Sequence, residues 1–101
     1  MVMNGKAVID ILRSHLPDLR KRFGVKRIGV FGSVLTDYFS EQSDIDLVVE
    51  FNRPVGFVFF DLVDHLEDIL GRKVDVLTPG GIGSIRIPEV ADNIRESTVY
   101  V

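Results

Sequence analysis

What most restricts this chain is the order of its apolar patterns: segments with helical spacing alternate with short β-branched runs, all within 101 residues. From Asn4 onward, Val8, Ile11, Leu12 and Leu16 recur at the spacing of an amphipathic helix, with Asn4 placed to cap its start. Pro17 suits the first turn of a second short helix, covering residues 19–23 and stopped by Gly24. Residues 27–31 read as a buried strand ended by Gly32, residues 36–43 as a polar, turn-prone segment, and residues 44–51 as a second strand closed by Asn52 and Pro54. Over residues 56–70, Phe59, Leu62, Val63, Leu66, Ile69 and Leu70 form one stripe, which predicts a core-facing helix capped by Gly71. A third strand over 73–77, a helix over 88–96 and a short strand or ordered tail over 98–101 complete the order. This succession asks for a small mixed β-sheet packed with helices, in the α/β or α+β class. One domain, 1–101, is expected: 46% hydrophobic residues suffice for a single core, and so short a chain buries roughly two thirds of its unfolded surface.

Several function classes drop out early. The chain has no cysteine, which excludes a disulfide scaffold, a thiolate zinc finger and a cysteine nucleophile. No apolar run approaches the roughly 18 residues of a membrane span. Asp10 and Arg13 interrupt the N-terminal apolar positions and no small-residue cleavage site follows, so no signal peptide is predicted and a cytoplasmic protein is expected. A net charge of −3 has the wrong sign for gripping a phosphate backbone, and no basic recognition helix is present, so no direct nucleic-acid partner is expected.

The chemistry is concentrated in two stretches. Aspartate is depleted from strands, yet Asp44 and Asp46 open an otherwise apolar one. Strand alternation projects both from the same face, about 6 to 7 Å apart. Carboxylates this close repel and raise one another's pKa unless a cation sits between them, which suits a hard divalent ion such as Mg²⁺. The plainer alternative is a turn in which Ser43 and Asp44 merely cap backbone groups. Upstream, Gly32-Ser33 precede a predicted helical turn over 34–39, where backbone amides could hold an anion beside the metal; the alternative is an ordinary strand-to-helix turn with Ser33 as its N-cap. Asp75 sits mid-strand with Val74 and Val76 on the opposite face. In a buried strand it would need a cation or a donor; on an edge strand it would face water. If its strand neighbours that of Asp44 and Asp46, three carboxylates share one site. Such a set can hold two ions about 3.5 to 4 Å apart, as in two-metal phosphoryl or nucleotidyl transfer.

Gly32-Ser33, ten intervening residues, Asp44-Ile45-Asp46 and a later strand Asp75 resemble the signature of the DNA polymerase beta-type nucleotidyltransferase superfamily. The segments SDIDLVVEF, GRKVDVLT and IRESTVYV are similar to its minimal nucleotidyltransferase (MNT) branch, and the resemblance spans residues 27–101. It implies a mixed sheet carrying the three aspartates, Mg²⁺ as cofactor, and ATP attacked at its α-phosphorus with loss of pyrophosphate. For MNT antitoxins it further implies a paired HEPN toxin whose tyrosine accepts AMP. Carried over by position, Asp44 and Asp46 bind both metals, Asp75 binds the catalytic metal and helps the hydroxyl lose its proton, and Gly32 with Ser33 hold the terminal phosphates.

One departure matters. Many members follow Gly-Ser with arginine-alanine-arginine-glycine, whereas Val34, Leu35, Thr36 and Asp37 stand here. Two phosphate-steadying cations are absent and Asp37 adds a negative charge. Lys26, Arg27, Lys73 or a partner chain are the candidates to compensate. A second expectation follows, from a different class: an antitoxin-like binding subunit with weak catalysis that neutralises its partner by complex formation.

The remaining candidates read as structural. His15 and His65 lack a second ligand at helical spacing and are expected at the surface or boundary. Gly80-Gly81-Ile82-Gly83-Ser84 lacks the Lys-Ser/Thr of a phosphate loop and reads as a flexible loop. Ser14, Ser40 and Ser97 have no histidine suitably related to them. The basic stretch Arg20, Lys21, Arg22, Lys26 and Arg27 reads as a solvated helix end, the alternative being a basic rim that attracts phosphate or an acidic partner. Phe57, Val58, Phe59 and Phe60 point in too many directions for one small core, so part of this cluster is expected to meet a partner chain or a second copy.

Overall fold

The apolar stripe at the start of the chain makes one helix rather than the two expected. In a computed structural model, which describes residues 4–36, 39–40 and 42–101, helix α1 (Gly5–Phe23) runs straight through Pro17. Proline forfeits one backbone hydrogen bond and strains the turn before it, at about 3 kcal/mol. Val8, Leu12, Leu16, Leu19 and Phe23, on both sides of it, are all buried on one stripe. At about 1.5 to 3 kcal/mol for each such side chain, keeping the stripe continuous outweighs the lost bond. The ends follow the sequence reading: Asn4 Oδ1 accepts the Ala7 N–H, and Gly24 closes the helix at φ 69°.

Strand β1 (Val25–Phe31) lies antiparallel to β2 (Ile45–Phe51) on one side and to β4 (Val99–Tyr100) on the other. Helix α2 (Val58–Leu70) then carries the chain back so that β3 (Val74–Leu77) pairs parallel to β2, giving the sheet order β3-β2-β1-β4. The fold is therefore the mixed α/β arrangement expected, with β3 at one edge.

Alternation along the strands divides the residues between two faces. Ile28, Val30, Ile45, Leu47 and Val49 are buried with the α1 stripe and with Leu62, Leu66 and Leu70 of α2. Phe31 and Val48 point the other way, into a smaller cluster with Ile82 and Ala91. These last two come from α3 (Pro79–Gly83) and α4 (Pro88–Ser97). Residues 80–83, read from the sequence as loop, are instead most of α3, because Thr78 Oγ1 accepts the Gly81 N–H at its start and Ile82 is buried. Among the described residues, no helix is long and apolar enough to cross a membrane.

Candidate active site

Three strands meet in one row beneath the site. Phe31 at the end of β1 is in register with Asp46 on β2, and Asp46 with Asp75 on β3. Asp46 and Asp75 share the face that carries Val48 and Leu77, opposite to the one packed by α1 and α2. Asp44, two positions before Asp46, lies just ahead of β2 and is exposed. The partly buried Asp46 carboxyl is pushed above the ordinary carboxylate range, first by desolvation and then by the negative charges of Asp75 and Asp44. For Asp75 the second of the two alternatives holds: its strand is an edge, its side chain is exposed, and burial alone creates no demand for a countercharge there. That demand falls on Asp46.

Gly32 backs this row. It follows β1 with φ +80°, a conformation that favours glycine, and a β-carbon at this position would collide with Asp46 Oδ2. A short 3-10 turn, Gly32–Leu35, begins here, shorter than the helical turn predicted. Its capping position is Phe31, with no side-chain cap bond, so Ser33 lies inside the turn rather than capping it. The Ser33 carbonyl accepts the Thr36 N–H and hydroxyl at 2.9 and 2.8 Å. Asp37, expected to add negative charge here, lies outside the described residues.

The cations proposed as compensation separate into two groups. Lys26 and Arg27 are engaged elsewhere: Lys26 Nζ lies 3.4 Å and Arg27 Nε 2.7 Å from the Glu50 carboxylate, and Arg27 stacks 4.0 Å over the Tyr100 ring. The Arg27 hydrogen bond pulls Glu50 below the ordinary carboxylate range. Glu50 is four strand positions from Asp46, roughly 13 Å, so these two cations do not reach the aspartates. Lys73 does border the site. With Gln42, Ser43, Asp44, Gly71 and Arg72 it lines a cleft of about 380 Å³. Val34 is buried and Leu35 packs on the core, so no cation stands in that stretch of the turn.

Among the described residues, no three acidic or imidazole side chains are already drawn together into a metal-holding cluster. Asp46 and Asp75 are neighbours on one face, with Asp44 just ahead of β2 and close enough to act on Asp46, rather than a closed chelate. Magnesium asks for no more, since it takes one or two carboxylates and completes its shell with phosphate oxygens and water. A hard-oxygen donor set whose central carboxyl stands beside two further negative charges fits such an ion.

The other candidates fall away from this face. His15 and His65 pack edge to face between α1 and α2, and His65 lies against Phe23 and 3.8 Å from Asp18, boundary positions as expected. Ser14 and Ser97 donate to the carbonyls of Ile11 and Ile94 within their own helices. Phe57 and Phe60 are 88% and 63% exposed, whereas Phe59 packs on Phe51. A residue that sequence reasoning passed over, Arg72, reaches across the mouth of β2: its Nη2 donates to the carbonyls of Ser40 and Ser43. The only signal for it was a basic residue directly after the Gly71 helix stop.

Comparison with known proteins gives consistent results. Residues 12–101 match the family described as Nucleotidyltransferase domain. The chain is 38% identical over 93 residues to "Protein adenylyltransferase MntA" of Thermococcus cleftensis, covering 91% of this chain and 90% of that protein. It is 41% identical over 93 residues to "Putative protein adenylyltransferase MJ0128" of Methanocaldococcus jannaschii, covering 91% and 92%. Among solved structures, "Structure of putative minimal nucleotidyltransferase" superposes with a TM-score of 0.67 at 28% identity, covering 90% of this chain and 93% of that one. A mutant of the toxin-antitoxin pair MntA-HpeT superposes at 0.57 with 18% identity, covering 96% and 70%, a likeness of fold.

Proposed function

This chain belongs to the Nucleotidyltransferase domain family, and from that membership we propose that it is a Mg²⁺-dependent protein adenylyltransferase. It moves AMP from ATP to a hydroxyl, a tyrosine of a partner HEPN-type toxin, and so acts as the antitoxin of a pair. The names of its relatives support the protein acceptor, and the MntA-HpeT pairing supports the toxin partner.

The observation that carries the chemistry is the row Asp46–Asp75 with Gly32 packed against Asp46 and Asp44 beside it, on a sheet face left open by α1 and α2. Asp44 and Asp46 are the residues to hold magnesium, with Asp75 completing the set on the acceptor side. The ion, when bound, neutralises phosphate charge and polarises the reacting oxygens. Gly32 and Ser33 offer backbone amides at the start of a turn to the terminal phosphates, and the missing β-carbon of Gly32 lets Asp46 lie against that turn. The acceptor hydroxyl oxygen forms its bond to the α-phosphorus as the bond to the bridging oxygen of pyrophosphate breaks. Asp75, exposed and beside Asp46, takes the hydroxyl proton, and pyrophosphate departs with the electron pair.

A second reading has its own support. The stretch after Gly32-Ser33 holds Val34 and Leu35 packed inward rather than cations, and Lys26 and Arg27 are occupied by Glu50. This favours a binding subunit of low catalytic power, whose exposed Phe57 and Phe60 serve the complex. Intact-mass analysis of the co-purified partner after incubation with Mg-ATP separates the two. Adducts of AMP mass that vanish in Asp44→Asn/Asp46→Asn support transfer; no adduct, with a complex that survives the double substitution, supports the binder.

A further inference from the structure

We infer that Arg72 is a positioning residue for Asp44, an inference that rests on the metal-binding role proposed for that aspartate. Asp44 precedes the first residue of β2 and is exposed, so the ladder of the sheet does not by itself hold it. Both peptide groups flanking it are nevertheless pinned. The carbonyl of Ser43, joined directly to the Asp44 nitrogen, accepts from Arg72 Nη2 at 3.0 Å. On the other side, the Ile45 N–H donates to the Lys73 carbonyl at 3.0 Å. The same Nη2 also donates to the Ser40 carbonyl at 2.6 Å, and the guanidinium lies 4.4 Å over the Phe39 ring. Ser40 and Ser43 are tied to each other as well: the Ser43 N–H donates to the Ser40 carbonyl, and the Ser40 N–H to Ser43 Oγ.

The pins thus come from two consecutive residues, and the Gly71 cap places them. With φ 68°, Gly71 stops α2 and turns the chain so that Arg72 reaches the turn before β2 while Lys73 begins the approach to β3. Among the described residues, Arg72 makes no ion pair within 4.0 Å; its charge goes to two backbone carbonyls beside the cleft that Asp44 lines. One nitrogen bonding two carbonyls while the guanidinium plane stacks on an aromatic ring is geometry that a lysine ammonium does not reproduce. A fixed approach matters because a ligand held by a loose turn samples many positions, and metal affinity falls with the fraction of time spent away from the binding one.

The test compares full-length wild type, Arg72→Ala and Arg72→Lys, each with and without Asp44→Asn. Amide hydrogen exchange over residues 42–45 reads the order of the turn, and Mn²⁺ titration by electron paramagnetic resonance reads the site without requiring turnover. Exchange is expected to rise at least about tenfold in both Arg72 variants, and Mn²⁺ affinity to fall about fivefold or more. In the Asp44→Asn background neither Arg72 substitution is expected to weaken Mn²⁺ further, because the effect passes through Asp44. Arg72→Lys keeps the charge and the aliphatic stem, so it carries the readouts even where alanine loosens the fold. Unchanged exchange, unchanged Mn²⁺ affinity, or an equal loss in the Asp44→Asn background each overturns the inference. A wild-type protein that transfers no nucleotide while these effects hold overturns the transferase reading alone.

Discussion

Asp46 stands directly opposite Asp75 across the parallel β2–β3 pair, on the sheet face that α1 and α2 do not cover. Desolvation, then Asp75 and Asp44, raise the proton affinity of Asp46 in the folded chain. A carboxyl that binds its proton more tightly folded than unfolded favours the metal-free fold at low pH, and that contribution is lost as pH rises through the raised value. Asp46→Asn is therefore expected to melt above wild type at pH 7 in the presence of a chelator, with the gap closing toward about pH 4. Excess Mg²⁺ should narrow the gap at pH 7 by stabilising wild type alone. Thermal melts across pH, with and without metal, check this; a variant that melts below wild type at pH 7 contradicts it.

At the neighbouring position the backbone itself is the constraint. Gly32→Ala places a methyl group against Asp46 Oδ2 at a positive φ, whereas Gly71→Ala meets only the positive φ, with nothing within 4 Å. The first is expected to cost about 2 kcal/mol or more, roughly 10 °C in Tm, and the second about 1 kcal/mol. Equal losses in calorimetry would mean that Asp46 does not press on position 32.

The carboxylates and the Glu50 cations should separate cleanly in kinetics. Asp75→Asn is expected to lower AMP transfer at least about 100-fold while the partner complex persists. Arg27→Ala, which removes the pairing with Glu50 and the stacking on Tyr100, is expected to leave kcat/KM within about twofold, since screening and distance make it invisible to the phosphates. A large loss in Arg27→Ala would bring that residue back into the site.

Pro17 offers a stability gain. It is exposed within an otherwise continuous helix, so Pro17→Ala restores a backbone donor without disturbing the buried stripe. Set against the greater freedom alanine gives the unfolded chain, the net expectation is about 1 to 2 kcal/mol of added stability in denaturant titration. No gain would show that the helix has already absorbed the break.

The exposed rings at the head of α2 give a test of association independent of catalysis. Phe57→Ser with Phe60→Ser removes apolar surface that already faces solvent, so Tm should move by no more than about 3 °C. Affinity for the proposed partner should fall at least tenfold by calorimetric titration if these rings are anchors, on the order of what buried aromatic contacts contribute. Unchanged affinity would place the interface elsewhere.

Much of this architecture is legible in the sequence because it is local. Helical and strand spacing, the Asn4 cap, and the Gly24 and Gly71 stops depend on residues within a few positions of one another. The same holds for the placing of Asp46 and Val48 on one face of β2, which strand alternation imposes. What the tertiary structure decided is everything that depends on partners distant in the chain. The β2–β3 register is one such case: burying Val74 and Val76 beside Ile45 and Leu47 sets Asp75 against Asp46, and a slip of one residue would turn Asp75 toward the core. Edge placement of β3, the passage of α1 through Pro17, the capture of Lys26 and Arg27 by Glu50, and the reach of Arg72 over Ser40 and Ser43 belong to the same category. Local preference is written in covalent spacing, whereas burial and ion pairing are settled only when the whole chain competes for the same few neighbours.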